Sequence, residues 1–153
     1  AAMMPVPTGN RVGFVSPSGA FIVHLSDICK QRTCLDFSSV TSATQLRLEE
    51  ISPSFINITN PVDVFPSATV NGMEFAWRES MEALLNDDNV DAVVAILILA
   101  KELEAMDLNF IVDQKNRFPA KPIYISFSGD EVLNVDDQPV FDAALDLIDA
   151  VSV

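Results

Sequence analysis

Apolar positions along this chain switch between two spacings. Arg11 to Val15 is a short β-rich run closed by Ser16 and reads as a strand. Phe21, Ile22, Leu25, Ile28 and Cys29 then share one helical face, and Thr33 to Phe37 reads as a second short strand. Leu46 and Ile51 lie on a weaker helical piece that Pro53 ends, and Phe55 to Ile58 is extended up to Asn60-Pro61, a pair that forces a turn or an extended approach. Thr69 is the expected N-cap of a longer helix whose one face carries Met73, Ala76, Trp77, Ser80, Met81 and Leu84, stopped by Asn86-Asp87-Asp88-Asn89. Ala92 to Leu99 is apolar without alternation, as in a strand covered on both faces. Leu103, Met106, Phe110 and Ile111 mark a further helix, Ile123 to Phe127 a further strand, and Phe141, Ala144, Leu145 and Ile148 a last helix.

The resulting order, β-α-β-(α)-β-α-β-α-β-α with mostly short connections, predicts an α/β protein. Parallel strands joined by right-handed crossovers form a doubly wound sheet within a three-layer αβα sandwich. Length agrees, since 153 residues make about one domain. With 49% apolar and 20% charged residues, the composition is that of a folded chain rather than a disordered one. The apolar run from Ala92 to Ala100 is too short to span a bilayer, and no basic segment precedes an apolar one at the start. A cytoplasmic, membrane-free location is the expectation.

Charge narrows the partners. The net charge of −13 argues against nucleic acid, whose phosphates need clustered Lys and Arg. Most carboxylates lie after Ala76 at helical spacing, which reads as a solvated face. Cys29 and Cys34 read as two buried free thiols, since a zinc site needs about four ligands. His24, the only histidine, falls mid-helix beside the apolar face and reads as a partly buried structural residue.

In open parallel sheets ligands sit beyond the carboxyl ends of the strands. Three loops fall there: Ser16 to Ala20, Asn60 to Thr69, and Ser128 to Glu131. Asn60, Asp63 and Gly129 are their candidate substrate-binding residues. The first loop, Ser16-Pro17-Ser18-Gly19, runs straight into a helix, whose first N–H groups lack intrahelical partners and favour an anion. Ser16 and Ser18 add hydroxyls, and Gly19 and Ala20 add open backbone. Two readings stand side by side: a phosphate-binding loop, or Ser18 as a plain N-cap with Gly19 as a turn residue. The loop has neither the Walker Gly-Lys-Ser/Thr nor the dinucleotide Gly-x-Gly-x-x-Gly pattern.

Taken in order, Gly9-Asn10-Arg11-Val12-Gly13-Phe14-Val15-Ser16-Pro17-Ser18-Gly19-Ala20, Asn60-Pro61-Val62-Asp63-Val64, Leu84 to Val93 and Ala120-Lys121-Pro122-Ile123 resemble the flavodoxin-like CoA-ligase domains of the NDP-forming acyl-CoA synthetases, relatives of succinyl-CoA synthetase. The resemblance covers about Gly9 to Glu131, so residues 1–8 are expected to be an extension and 9–153 the domain, a fragment of a larger multidomain protein. It implies the reaction acyl-CoA plus NDP and phosphate giving acid, CoA and NTP. It also implies a phosphohistidine loop that docks between helix N-termini, one of them entered here through Ser16 to Ala20. CoA, NDP or NTP and Mg are implied for the full enzyme, none bound by this domain itself, with CoA-binding and ATP-grasp domains or subunits as partners. The family's Gly-His-Ser/Ala-Gly loop has no counterpart, and Phe65-Pro66-Ser67 replaces its glycine-rich stretch. No catalytic or metal-binding residue is therefore assigned. The expectation is a companion domain, inactive in isolation, or a degenerate scaffolding paralogue.

Overall fold

The computed structural model describes residues 5–32, 35–37, 39–98 and 106–128. Four parallel strands form one sheet in the order β2-β1-β3-β4, with β1 at Val12–Ser16, β2 at Val62–Asp63, β3 at Ala92–Ile98 and β4 at Ile123–Ser128. All five residues of β1 are buried, so this strand is central and covered on both faces. In β3, Val93, Ala95 and Leu97 are fully buried while Val94, Ile96 and Ile98 are half-buried. The unbroken apolar run therefore marks one sealed face and one half-open face rather than two sealed ones.

Five described helices connect these strands: α1 (Gly19–Arg32), α2 (Ser42–Glu50), α3 (Phe65–Asn71), α4 (Met73–Asn86) and α5 (Asn109–Arg117). From β1 the chain moves to β2 in one direction, and from β2 to β3 and β3 to β4 in the other. Right-handed crossovers then put α1 on one face and α4 with α5 on the opposite face. The result is an α/β doubly wound sheet of flavodoxin-like type.

Most of the core lies on the α4 side. Trp77, Met81, Leu84 and Leu85 of α4 and Leu48 of α2 join Val15, Val62, Val93, Ala95 and Leu97 of the sheet, with Phe110 and Ile111 of α5. On the α1 side Cys29 is buried, Ile22 and Leu25 are half-buried, and Phe21 and Ile28 are exposed. His24 is exposed too, so the expected partly buried histidine is corrected. The face of α1 that meets the sheet is narrow, and residue 24 falls off it.

Three expectations change along the edge of β1. Thr33 to Phe37 contributes one bridge instead of a strand: Asp36 accepts from Val12 N–H at 2.8 Å and donates to Asn10 O at 2.9 Å, while residues 33 and 34 lie outside the described ones. Phe55 to Ile58 is irregular, and the strand on this edge is Val62–Asp63, paired with Val15 and Ser16. Between these two partners the side chain of Asn60 stands in for a strand, accepting from Phe14 N–H at 2.9 Å and donating to Val12 O at 2.8 Å. One edge of β1 is thus shared by a bridge, an amide side chain and two strand residues.

Thr69 is not the N-cap of the long helix. It sits inside α3, its hydroxyl donating to Pro66 O at 2.7 Å. Pro66 lies in the first turn of α3, where a missing N–H costs nothing. Gly72, at φ 88°, separates α3 from α4, a left-handed conformation that favours glycine. The stop at Asn86 holds: Asp87 follows the helix and accepts from Thr41 N–H at 2.7 Å, Thr41 Oγ1–H at 2.9 Å and Asn89 N–H at 2.7 Å, joining the end of α4 to the N-cap of α2. Met106 precedes α5, and residues 99–105 and 141–148, which carry Leu103 and the last expected helix, lie outside the described ones.

Candidate functional site

The strand order reverses between β1 and β3, because β1 leads to one side of the sheet and β3 to the other. The loop beyond β1 is Ser16 to Ser18, so the candidate loop sits at this switch point. Ser16 is fully buried, and its Oγ accepts from Ser18 N–H at 3.1 Å, which turns the chain sharply into α1. Ser18 Oγ accepts from Phe21 N–H at 3.4 Å, and Ser18 O accepts from Ile22 N–H at 3.1 Å. Ser18 is therefore the N-cap of α1. Capping by Ser18 answers only the third N–H of the helix. Gly19 and Ala20 occupy its first two positions, are exposed, and carry N–H groups that helix geometry leaves without intrahelical acceptors.

β2 brings a carboxylate to this turn. Ser16 and Asp63 are register partners, and Val64 N–H donates to Ser16 O at 3.0 Å. Asp63 Oδ1 accepts from Phe65 N–H at 3.0 Å, fixing the side chain in a tight turn at the start of α3. Its Oδ2 lies 3.1 Å from where any side chain on Gly19 would place its first carbon. Gly19 is thus the residue that lets β2 and the start of α1 approach.

The structure brings Ser16, Ser18, Gly19, Ala20 and Asp63 together. Asn60 is one strand-width away with its amide engaged by the β1 backbone, so it holds the loop's foundation. Gly129 lies outside the described residues.

Sequence reasoning passed over the far end of the same strands. Asp91, before β3, is buried and accepts from Arg11 N–H at 3.0 Å, Nε at 2.9 Å and Nη2 at 2.7 Å, and from Thr8 Oγ1 at 3.2 Å. The hydrogen bond from the Arg11 side chain, against the opposing effect of burial, holds this carboxyl far below the usual range. Asp87 is also lowered: burial pushes it up, but hydrogen bonds from Thr44, Asn89 and Thr41 outweigh that. Burial lowers Lys121, which donates to Asp87 O. These groups tie the ends of elements together at a distance from the α1 loop.

No family model matches the chain. Over 129 residues it is 28% identical to an ADP-forming acetate–CoA ligase (II) of Archaeoglobus fulgidus, a match that covers 84% of this chain and 19% of that enzyme. By sequence the chain is thus similar to one part of an ADP-forming acetate–CoA ligase. Solved structures share its fold. PH0766 of Pyrococcus horikoshii OT3 superposes with a TM-score of 0.70 at 19% identity, over 96% of this chain and 32% of that one. The dinucleotide-forming acetyl-coenzyme A synthetase 1 of Ca. Korarchaeum cryptofilum, in its apo form, gives 0.67 at 19% identity over 94% of this chain and 29% of that one. The same enzyme in complex with phosphate and ADP gives 0.65 at 18% identity over 97% of this chain and 34% of that one. The domain spans about a fifth of the curated relative's length and about a third of these structures. Among the described residues, no helix is long and apolar enough to cross a membrane.

Proposed function

We propose that this domain serves an NDP-forming acyl-CoA synthetase by presenting the N-terminus of α1 to a phosphoryl group carried on a phosphohistidine loop of another domain. Its role is electrostatic and positional. The observation that carries the reading is the placement of Ser16 to Ala20: a capped 14-residue helix opens at the switch point of a parallel sheet, with its first two residues exposed. Preorganised N–H groups and a helix dipole aimed at transferring charge lower its energy without reorganising. The reactive histidine then belongs to a companion domain, and the nucleotide, Mg and CoA to CoA-binding and ATP-grasp partner domains. The exposed His24 lies in the second turn of α1, past the presented N–H groups.

A second reading is a scaffolding domain that retains the fold. It is favoured by α3, which begins at Phe65-Pro66-Ser67 where the family resemblance calls for glycines.

Phosphate titration of the 15N-labelled chain separates the two. A helix dipole is worth about 0.3–1 kcal/mol when exposed and a charge-assisted hydrogen bond about 1.5–3 kcal/mol. Opposed by a net charge of −13, these give an expected dissociation constant in the millimolar range, about −4 kcal/mol. The amides of Ser18, Gly19 and Ala20 should shift first. Shifts confined to other amides would leave the loop as a helix cap and favour the scaffold.

A further inference from the structure

Asp63 has no part in the proposed phosphoryl contact, yet its carboxylate stands beside Gly19, the first residue of α1. Three restraints hold it there. Its backbone is paired with Ser16, Val64 N–H is bonded to Ser16 O, and Phe65 N–H is bonded to Oδ1. Because α1 starts three residues after Ser16 and α3 starts two after Asp63, the carboxylate and the first turn of α1 are neighbours by construction. The second oxygen, Oδ2, faces Gly19.

We infer that Asp63 is a specificity residue of the α1 loop, a built-in anion that competes with free phosphate for the N-terminal field of the helix. This rests on the phosphoryl-presenting reading above. A fixed negative charge beside the first turn raises the cost of any second anion there, and the chain's overall charge adds to it. Free phosphate at cellular concentration meets that cost in full. A phosphoryl group tethered to a docked loop meets it too, but arrives at the high effective concentration of an intramolecular ligand. The pair Gly19 and Asp63 therefore tunes the loop to a delivered phosphoryl group over the dissolved ion.

Asp63→Asn tests this, since the amide keeps an oxygen for Phe65 N–H and removes only the charge. Asp63→Ser is a second variant that also retains an acceptor, and unchanged amide positions at Val93 to Leu97 certify the fold of either. Inorganic phosphate is titrated at low salt into the wild-type chain and both variants, following Ser18, Gly19 and Ala20. The variants should bind about fivefold more tightly, as expected for losing one charge within roughly 5 Å in a watery site. The gain should shrink as sodium chloride is raised. Loop amides that respond with unchanged or weaker affinity in both variants would overturn the role of Asp63 and leave the phosphoryl-presenting reading standing. Loop amides that stay still in all three proteins would overturn both.

Discussion

Replacing Asp91 with alanine is expected to destabilise the domain by about 2–3 kcal/mol, the scale for leaving a buried polar partner unsatisfied. The carboxylate is the common acceptor for Thr8, the backbone of Arg11 and two nitrogens of the Arg11 guanidinium. Alanine strands the Arg11 N–H where β1 begins, whereas the half-exposed guanidinium can be rehydrated. In urea the midpoint should fall with little change in slope, because the same surface is exposed on unfolding. Acid should reveal the same group. The folded-state carboxyls of Asp91 and Asp87 are both depressed, so their contribution is present above the unfolded value near pH 4 and is lost as pH falls through the folded values. Wild-type stability should therefore decline below about pH 4, and Asp91→Asn should flatten part of that decline. An equal acid slope in wild type and variant would show that Asp91 does not couple folding to protonation.

Asn60→Ala should cost a similar amount, about 2–3 kcal/mol, because it leaves both Phe14 N–H and Val12 O unpaired in a buried strand. Asn60→Asp should rescue little. Its oxygen can still accept from Phe14, but the other atom then faces the Val12 carbonyl with no proton to offer. The effect reaches the site as well. Asn60 sets the start of the segment that pairs Val62 and Asp63 with Val15 and Ser16, so its loss should blunt the phosphate-induced shifts at Ser18 to Ala20. Urea melts together with the phosphate titration check this. A stable Asn60→Ala variant with wild-type loop shifts would remove Asn60 from the foundation of the loop.

Elements with their own periodicity were legible in the sequence. The apolar run that gives β3, the one-sided face around Trp77 that gives α4, and the β-rich run into Ser16 all came through because burial imposes their pattern locally. The loop into α1 was legible for a different reason, its serines and glycine being turn chemistry. β2 was not, since two residues cannot show a period and half of its edge is made by a side chain. α3 hides in the sequence because Pro66 reads as part of a loop, although a proline in the first turn with Gly72 past the end is itself a helix signal. His24 was misplaced because a helix pattern does not state how wide a stripe its neighbour covers. The pairs Arg11 with Asp91 and Gly19 with Asp63 join residues 80 and 44 apart in the chain, and only the register of the sheet brings them together.

The brevity of β2 also bears on self-association. An outer strand offers a row of unpaired backbone groups that a neighbouring molecule can extend into a continuous sheet. Here that outer strand is two residues long, is preceded by Pro61, which has no N–H to give, and ends on the charged Asp63. Among the described residues, this side offers a second chain no run of strand donors and acceptors longer than those two residues. The same short segment that seats a carboxylate beside the α1 loop closes this flank of the sheet to strand addition.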